Sequence, residues 1–174
     1  MIDIFKNYDY KAAIKLNRFL IIVLLLAAVG FALSAKETSQ INIVTPGMKI
    51  QLGNSKGETS TTIKLQGTYT KSLVSGAVFS GKITIDDAEY ICSKSKTSKE
   101  SGAMVTQIKD GKTVAFGNLF FDEDFTQLAL LLNGWNNENG IMIIAPANNR
   151  LEALDISNEI LNTFLESNTL SPLN

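Results

Sequence analysis

Residues 103–121 read AMVTQIKDGKTVAFGNLFF, and they indicate most directly which kind of fold the chain adopts. Two runs rich in apolar residues flank Asp110-Gly111, a dipeptide typical of two-residue hairpin turns. The stretch therefore predicts two strands, Ala103–Ile108 and Lys112–Phe121, that pair in antiparallel fashion.

On both sides of this hairpin, apolar alternation and turn residues predict further strands at 41–52, 59–70, 78–86, 88–92, 125–132 and 141–145. Residues 93–101, between the predicted strands 88–92 and 103–108, are polar and predict a loop. Asn149 and Glu152 have the spacing of a capping box, with Asn149 as the N-cap. After them, apolar residues recur at helical spacing and predict a helix that packs this face on the sheet. The residues of that face are Ala153, Ile156, Ile160 and Phe164.

The N-terminal part of the chain contains an uncharged apolar run, FLIIVLLLAAVGFALSA, at residues 19–35. A helix of that length at about 1.5 Å per residue measures roughly 26 Å, close to the hydrocarbon core of about 30 Å. Ser34 is its only strongly polar residue, as expected where every face meets lipid. We therefore expect an α+β protein. One N-terminal transmembrane helix precedes a mostly antiparallel sheet of roughly six to eight strands with a C-terminal helix packed on it.

The charges around this run predict its orientation. Lys11, Lys15 and Arg18 precede it, so the N-terminus is expected in the cytoplasm and the C-terminal domain outside, in a single-pass protein of the cell membrane. The predicted organisation is a cytoplasmic basic head at 1–18, the anchor at 19–35, a linker at 36–40 and an extracytoplasmic α+β domain at 41–174. The alternative is a signal peptide cleaved before Ala35, which yields a secreted protein.

The composition excludes several kinds of chemistry. Histidine is absent from the 174 residues and Cys92 is the single cysteine, so Ser-His-Asp and Cys-His catalysis are excluded. In a strand, Cys92 is expected to be a buried apolar residue. The part of the chain after the anchor is slightly acidic, which disfavours nucleic-acid binding. We expect no nucleic-acid partner, no cofactor and no metal site.

Carboxylates are the remaining candidates for catalysis. Residues 122–124 (Asp-Glu-Asp) lack the ligand spacing of an EF-hand and favour a charged turn. Asp86 and Asp87 are adjacent, so on a strand they point to opposite faces. We therefore assign no catalytic residue. One alternative is a carboxylate-dependent cell-surface hydrolase, which needs two acids in one pocket from the set Asp86, Asp87, Asp122, Glu123, Asp124 and Glu138. The other is a structural subunit of a membrane complex.

A candidate ligand site lies at residues 133–140, NGWNNENG, a polar segment with two Asn-Gly turn signals. A tryptophan among amides is typical of sugar-binding loops, although a loop tryptophan also commonly folds back onto the core. The candidate ligand-binding residues are Trp135, Asn133, Asn136 and Asn137. The expected partners are membrane lipid at residues 19–35 and a cell-surface glycan or membrane protein.

Two short stretches, Leu65–Tyr69 (LQGTY) and Phe79–Asp86 (FSGKITID), resemble small single-anchor extracytoplasmic proteins of Gram-positive bacteria. This resemblance implies no activity, so no functional residue is transferred from it. The expected function is that of a membrane-tethered extracytoplasmic binding or accessory module without enzymatic activity.

Overall fold

The computed structural model describes residues 17–27, 30, 36–72, 74 and 76–174. The chain divides into two compact units, one of residues 1–36 and 72–74 and the other of residues 37–71 and 75–174. The second unit contains nearly all of the regular structure.

In the first unit, residues 17–27 are helical, and the large apolar side chains from Phe19 to Leu26 are exposed. Within the described ranges, no helix combines the length and hydropathy that a membrane span requires. The predicted fold class is wrong in this respect. Of the predicted anchor, residues 28–29 and 31–35 lie outside the described residues, as does the head up to residue 16.

The second correction to the fold class is that the sheet closes into a barrel of eight strands in sequence order. The strands are β1 (Lys36–Gln51), β2 (Glu58–Ser72), β3 (Gly76–Ile85), β4 (Ala88–Thr97), β5 (Ala103–Lys109), β6 (Lys112–Phe121), β7 (Leu128–Leu132) and β8 (Ile141–Ala145). Closure pairs β1 with β8, with Met48 opposite Ile144. Local sequence patterns do not reveal this pairing, because the first and last strands can have the same alternation of apolar and polar residues in an open sheet as in a closed barrel.

The hairpin predicted from Asp110-Gly111 is confirmed. These two residues alone connect β5 to β6, and their φ angles of 51° and 72° are the left-handed values that a type I′ turn requires. The β3–β4 connection is equally short, with Asp86 at φ 45°. Both turns fix the register of the strands that they join.

Three strand boundaries differ from the predicted ones by three residues or more. β1 begins at Lys36 and so includes residues 36–40, which were predicted as a linker. β4 continues to Thr97, into the polar stretch that was predicted as a loop. β7 begins only at Leu128, which leaves Phe125 in the preceding loop. Polar residues are compatible with these strands because ladder pairing, and not burial alone, holds a strand.

Apolar side chains fill the interior of the barrel, which in an eight-stranded barrel is just wide enough for them. The completely buried ones include Ile63, Leu65, Phe79, Ile83, Val105, Leu119, Leu128 and Leu130. Cys92 belongs to the same cluster and is 1% exposed, which confirms its interpretation as a buried strand residue. The interior of the barrel is therefore a packed core.

The C-terminal helix, α1 (Arg150–Ser167), covers part of the outer surface of the barrel. Leu161 and Leu165 of the helix share a second buried cluster with Ala129 and Leu131 of β7. β7 thus buries one face in the barrel and the other under the helix. This explains why its sequence, LALLL, is apolar at every position.

The predicted start of the helix is confirmed. Asn149 is the N-cap, and its side chain accepts a hydrogen bond from the backbone N–H of Glu152 at 3.0 Å. The Glu152 carboxylate in turn accepts from the backbone N–H of Asn148 at 2.8 Å. In a standard capping box this second bond comes from the backbone N–H of the N-cap residue, whereas here it comes from the residue before the N-cap.

The packing face of the helix is rotated relative to the predicted one. Ile160 and Phe164, which were expected to be buried, are only partly buried, whereas Leu161 and Leu165 are 0% and 4% exposed. Apolar residues occupy both the row of Ile160 and Phe164 and the row of Leu161 and Leu165. Helical periodicity alone therefore does not show which row faces the barrel. The rotation leaves one side of Phe164 accessible.

Candidate functional site

A groove of about 320 Å³ lies on the outer face of the barrel beside Trp135. Neighbouring strands and the helix contribute to it, with Met104 from β5, Asn118 from β6, Leu131 from β7 and Phe164 from α1. Trp135 lies in the loop that directly follows β7. The groove therefore has an apolar floor and is bounded by side chains from four structural elements.

Trp135 is held on one side by the core and faces the groove on the other. Its indole packs against the cluster under the helix, with its ring centroid 5.8 Å from that of Phe164. Its backbone N–H donates to the carbonyl of Leu132 at 2.9 Å. Both interpretations of this tryptophan are thus compatible with its position, because the ring packs on the core and also lines the groove.

Gly140 allows the indole to lie this close to its own loop. A Cβ atom at Gly140 would lie 2.5 Å from Cδ1 of Trp135 and 2.3 Å from the carbonyl oxygen of Asn136. The indole N–H is buried and has no acceptor among the described residues. The position of the ring is therefore determined by packing and not by a hydrogen bond.

The three asparagines predicted with Trp135 have different positions. Asn133 is exposed and lines the groove. Asn136 instead organises the loop, since its Oδ1 accepts hydrogen bonds from two following backbone N–H groups, both at 3.0 Å. Asn137 is partly buried and does not line the groove. The structure thus brings Trp135 and Asn133 together and gives Asn136 a supporting position.

The groove residues outside the loop were not predicted from the sequence. Met104 and Asn118 are opposite each other in the β5–β6 ladder, and Met104 is 56% exposed. Strand alternation places both on the outer face, but nothing in the sequence shows that a distant loop and helix lie beside them. Their role depends on the tertiary arrangement.

The two groups of acidic residues that were candidates for catalysis, Asp86 with Asp87 and residues 122–124, lie at opposite ends of the barrel. Successive connections of an antiparallel meander alternate between ends, so the turn with Asp86 and Asp87 is opposite the loop at 122–124. The carboxylate of Asp86 accepts from the backbone N–H of Thr62 at 3.0 Å and from the hydroxyl of Thr61 at 2.9 Å. These bonds hold the pKa of Asp86 below its ordinary value, so this residue stabilises a turn.

Asp122 and Glu123 do line a common cleft, of about 460 Å³, at the other end. However, both oxygens of Asp122 are used within the loop, where they accept from the hydroxyl of Thr126 and from the backbone N–H of Gln127. Asp122 therefore stabilises the turn that the acidic run predicts. In the described part of the chain, no three Cys, Asp or Glu residues are placed to hold a metal ion together.

The second unit thus defines a small antiparallel barrel with a packed interior, a helix on its outer wall and an external groove beside a tryptophan. No protein-family model, curated protein or solved structure matches the chain. Its function is therefore proposed from the groove itself.

Proposed function

We propose that this protein is a non-enzymatic binding module that holds a cell-surface glycan in the groove beside Trp135. The observation that carries the proposal is the presence in one groove of a packed indole and the exposed amides of Asn118 and Asn133. Sugar rings combine apolar faces with hydroxyl groups. An indole face suits the first, and amides, which both donate and accept, suit the second.

The size and rigidity of the groove support the same proposal. Its volume of about 320 Å³ is at the lower end for small-molecule sites, which suits one or two sugar rings. Because Trp135 already packs on Phe164, little side-chain freedom is lost when a ligand binds. A surface glycan requires the barrel to be outside the cytoplasm, the location that the charges before residue 19 predict.

Titration calorimetry of the full-length protein with the N-acetylglucosamine tetramer tests this proposal. The probe offers apolar ring faces to Trp135 and acetamido groups to Asn133. We expect saturable binding that weakens about fivefold in Asn133→Ala, the effect of one lost hydrogen bond. Asn174→Ala removes an exposed amide outside the groove and should bind like the parent protein.

Cellotetraose, which lacks the acetamido groups, separates the contribution of the ring from that of the amides. Binding of both sugars with loss in Trp135→Phe would support stacking as the main interaction. If neither sugar binds, or if Trp135→Phe and Asn133→Ala both have the same affinity as the parent, the groove is not a glycan site.

A further inference from the structure

β1 is longer than the strand that closes the barrel against it. β8 pairs with β1 only from Met48 to Gln51 and ends at Ala145. The preceding part of β1 pairs with β2 on one side. There, Nε2 of Gln66 donates a hydrogen bond to Oδ1 of Asn42 at 3.0 Å. Along its other side, no strand in the described ranges pairs with residues 37–46.

The central part of this free edge, between Glu37 and Pro46, lacks the features that usually protect a strand edge from pairing. Natural edges are commonly protected by lysine or proline, because unpaired N–H and C=O groups attract other strands. Residues 38–45 read TSQINIVT and contain neither. They are instead rich in β-branched residues, which favour strand pairing, and Val44 among them is 63% exposed.

A cleft of about 380 Å³ adjoins this edge. Glu37 and Ile41, which share one face of β1, form one wall, and the β6–β7 loop with Glu123, Asp124 and Phe125 forms the opposite wall. Tyr69 and Lys71 of β2 complete the lining, so the cleft lies over a face that β1 and β2 share, next to the free edge of β1.

The opposite wall of the cleft is fixed in place. Phe125 is 7% exposed, and its ring lies 5.0 Å from that of Tyr69 and 4.6 Å from that of Phe121. Its φ of 58° is unusual for a residue other than glycine, so the surrounding contacts impose this conformation. These ring contacts hold the loop wall of the cleft in place.

The charges of the cleft indicate the chemistry of a strand that pairs with the free edge. Among the described residues that line it, Glu37, Glu123 and Asp124 outnumber the one cation, Lys71. We propose that the free edge of β1 binds an extended, basic segment of a partner protein as a ninth strand. The backbone of that segment pairs with residues 38–45. On its inward face, basic side chains lie near the acids, and apolar ones lie near Ile41 and Phe125.

A peptide with the sequence Lys-Thr-Val-Thr-Lys-Thr-Val-Thr-Lys tests the proposal with the full-length protein. It alternates basic and apolar residues on one face and reads identically in both directions, so it presupposes no strand direction. Fluorescence anisotropy should show saturable binding, and hydrogen exchange should show new protection at residues 38–45. The analogue with Glu for Lys and the analogue with Pro for Val should each bind at least about tenfold more weakly.

Charge reversal on the protein provides the matched controls. The double variant Glu123→Lys, Asp124→Lys should weaken binding of the lysine peptide on the order of tenfold. The double variant Asp155→Lys, Glu166→Lys, which makes the same charge change at two exposed helix positions outside the cleft, should not weaken it.

Four results would overturn the proposal. They are absence of binding, equal binding of the Lys and Glu peptides, equal binding by the double variant and the parent, and binding without protection at residues 38–45. Protection of these residues that rises with protein concentration in the absence of peptide would assign the edge to a second copy of the chain.

Discussion

The indole of Trp135 lies edge-on against the ring of Phe164, with the ring planes inclined by 63° and the centroids 5.8 Å apart. Phe164 in turn lies 5.2 Å from Phe120 of β6. The β7–β8 loop, the helix and the barrel wall thus meet through three aromatic rings, whose tilted contacts are favourable. The groove beside Trp135 therefore depends on the helix being docked.

Helix docking is tested by truncating its most buried side chain. Leu161→Ala should lower the free energy of unfolding by about 2–5 kcal/mol, because Leu161 is completely buried between helix and barrel. Glu159→Ala, on an exposed position of the same helix, should stay within roughly 0.5 kcal/mol. Urea unfolding midpoints of the two variants and the parent give the comparison. Equal, small effects would mean that the helix is not docked.

The close contact between Gly140 and the indole gives a prediction for the loop. Gly140→Ala places a methyl group against Cδ1 of Trp135 and against the backbone of Asn136, so the loop must shift. We expect lower stability and, since Trp135 is the single tryptophan, a red shift of the intrinsic fluorescence. Gly134→Ala in the same loop meets no atom within 4 Å and adds strain only through its φ of 80°. An unchanged emission maximum in Gly140→Ala would contradict the described position of the indole.

The hydrogen bonds to Asp86 predict a pH dependence. Because the pKa of this carboxyl is below its ordinary value of 3.8 in the folded protein, the ionised form stabilises the fold above that pH. The stabilisation is lost as the pH falls through the folded-state pKa. Asp86→Asn should thus be less stable than the parent at pH 6, and the difference should shrink towards pH 3. Asparagine also tolerates the φ of 45°, so the comparison reports charge and not strain.

Urea midpoints measured across this pH range give the result, with Asp87→Asn as a control for net charge. If both variants show the same difference and the same pH dependence, the bonds from Thr61 and Thr62 do not have the role assigned to them.

Export of the barrel stays a prediction from the sequence, because the flanking charges are its basis. A reporter that is active only outside the cytoplasm, fused after Asn174, should be active, and the product should fractionate with membrane lipid. An inactive reporter would contradict export. A soluble product that starts near Ala35 would show cleavage of residues 1–34 and no lasting contact with lipid.

Local sequence patterns predicted the parts of the fold that depend on neighbouring residues. The Asp110-Gly111 turn and the Asn149 cap were found because turn and cap chemistry requires particular residues within four positions. β8 was also predicted at its observed bounds, since a short apolar run between turn residues has few alternatives.

The parts that depend on distant contacts were not predictable in the same way. Barrel closure requires β1 to meet β8, and the inward row of the helix depends on the wall that it covers. The same holds for the candidate site. Trp135 and Asn133 were found from the loop composition, whereas Met104 and Phe164 join the groove only through the fold.

The indole N–H signal of Trp135 offers the most direct test of the groove as a ligand site. The chain has one tryptophan, so a nitrogen–proton correlation spectrum contains one indole peak, which reports on this position alone. On addition of the N-acetylglucosamine tetramer, we expect this peak to move progressively and to saturate, together with the side-chain amide peak of Asn133. An indole peak that stays in place at millimolar sugar would contradict the proposed site, whether or not other peaks move.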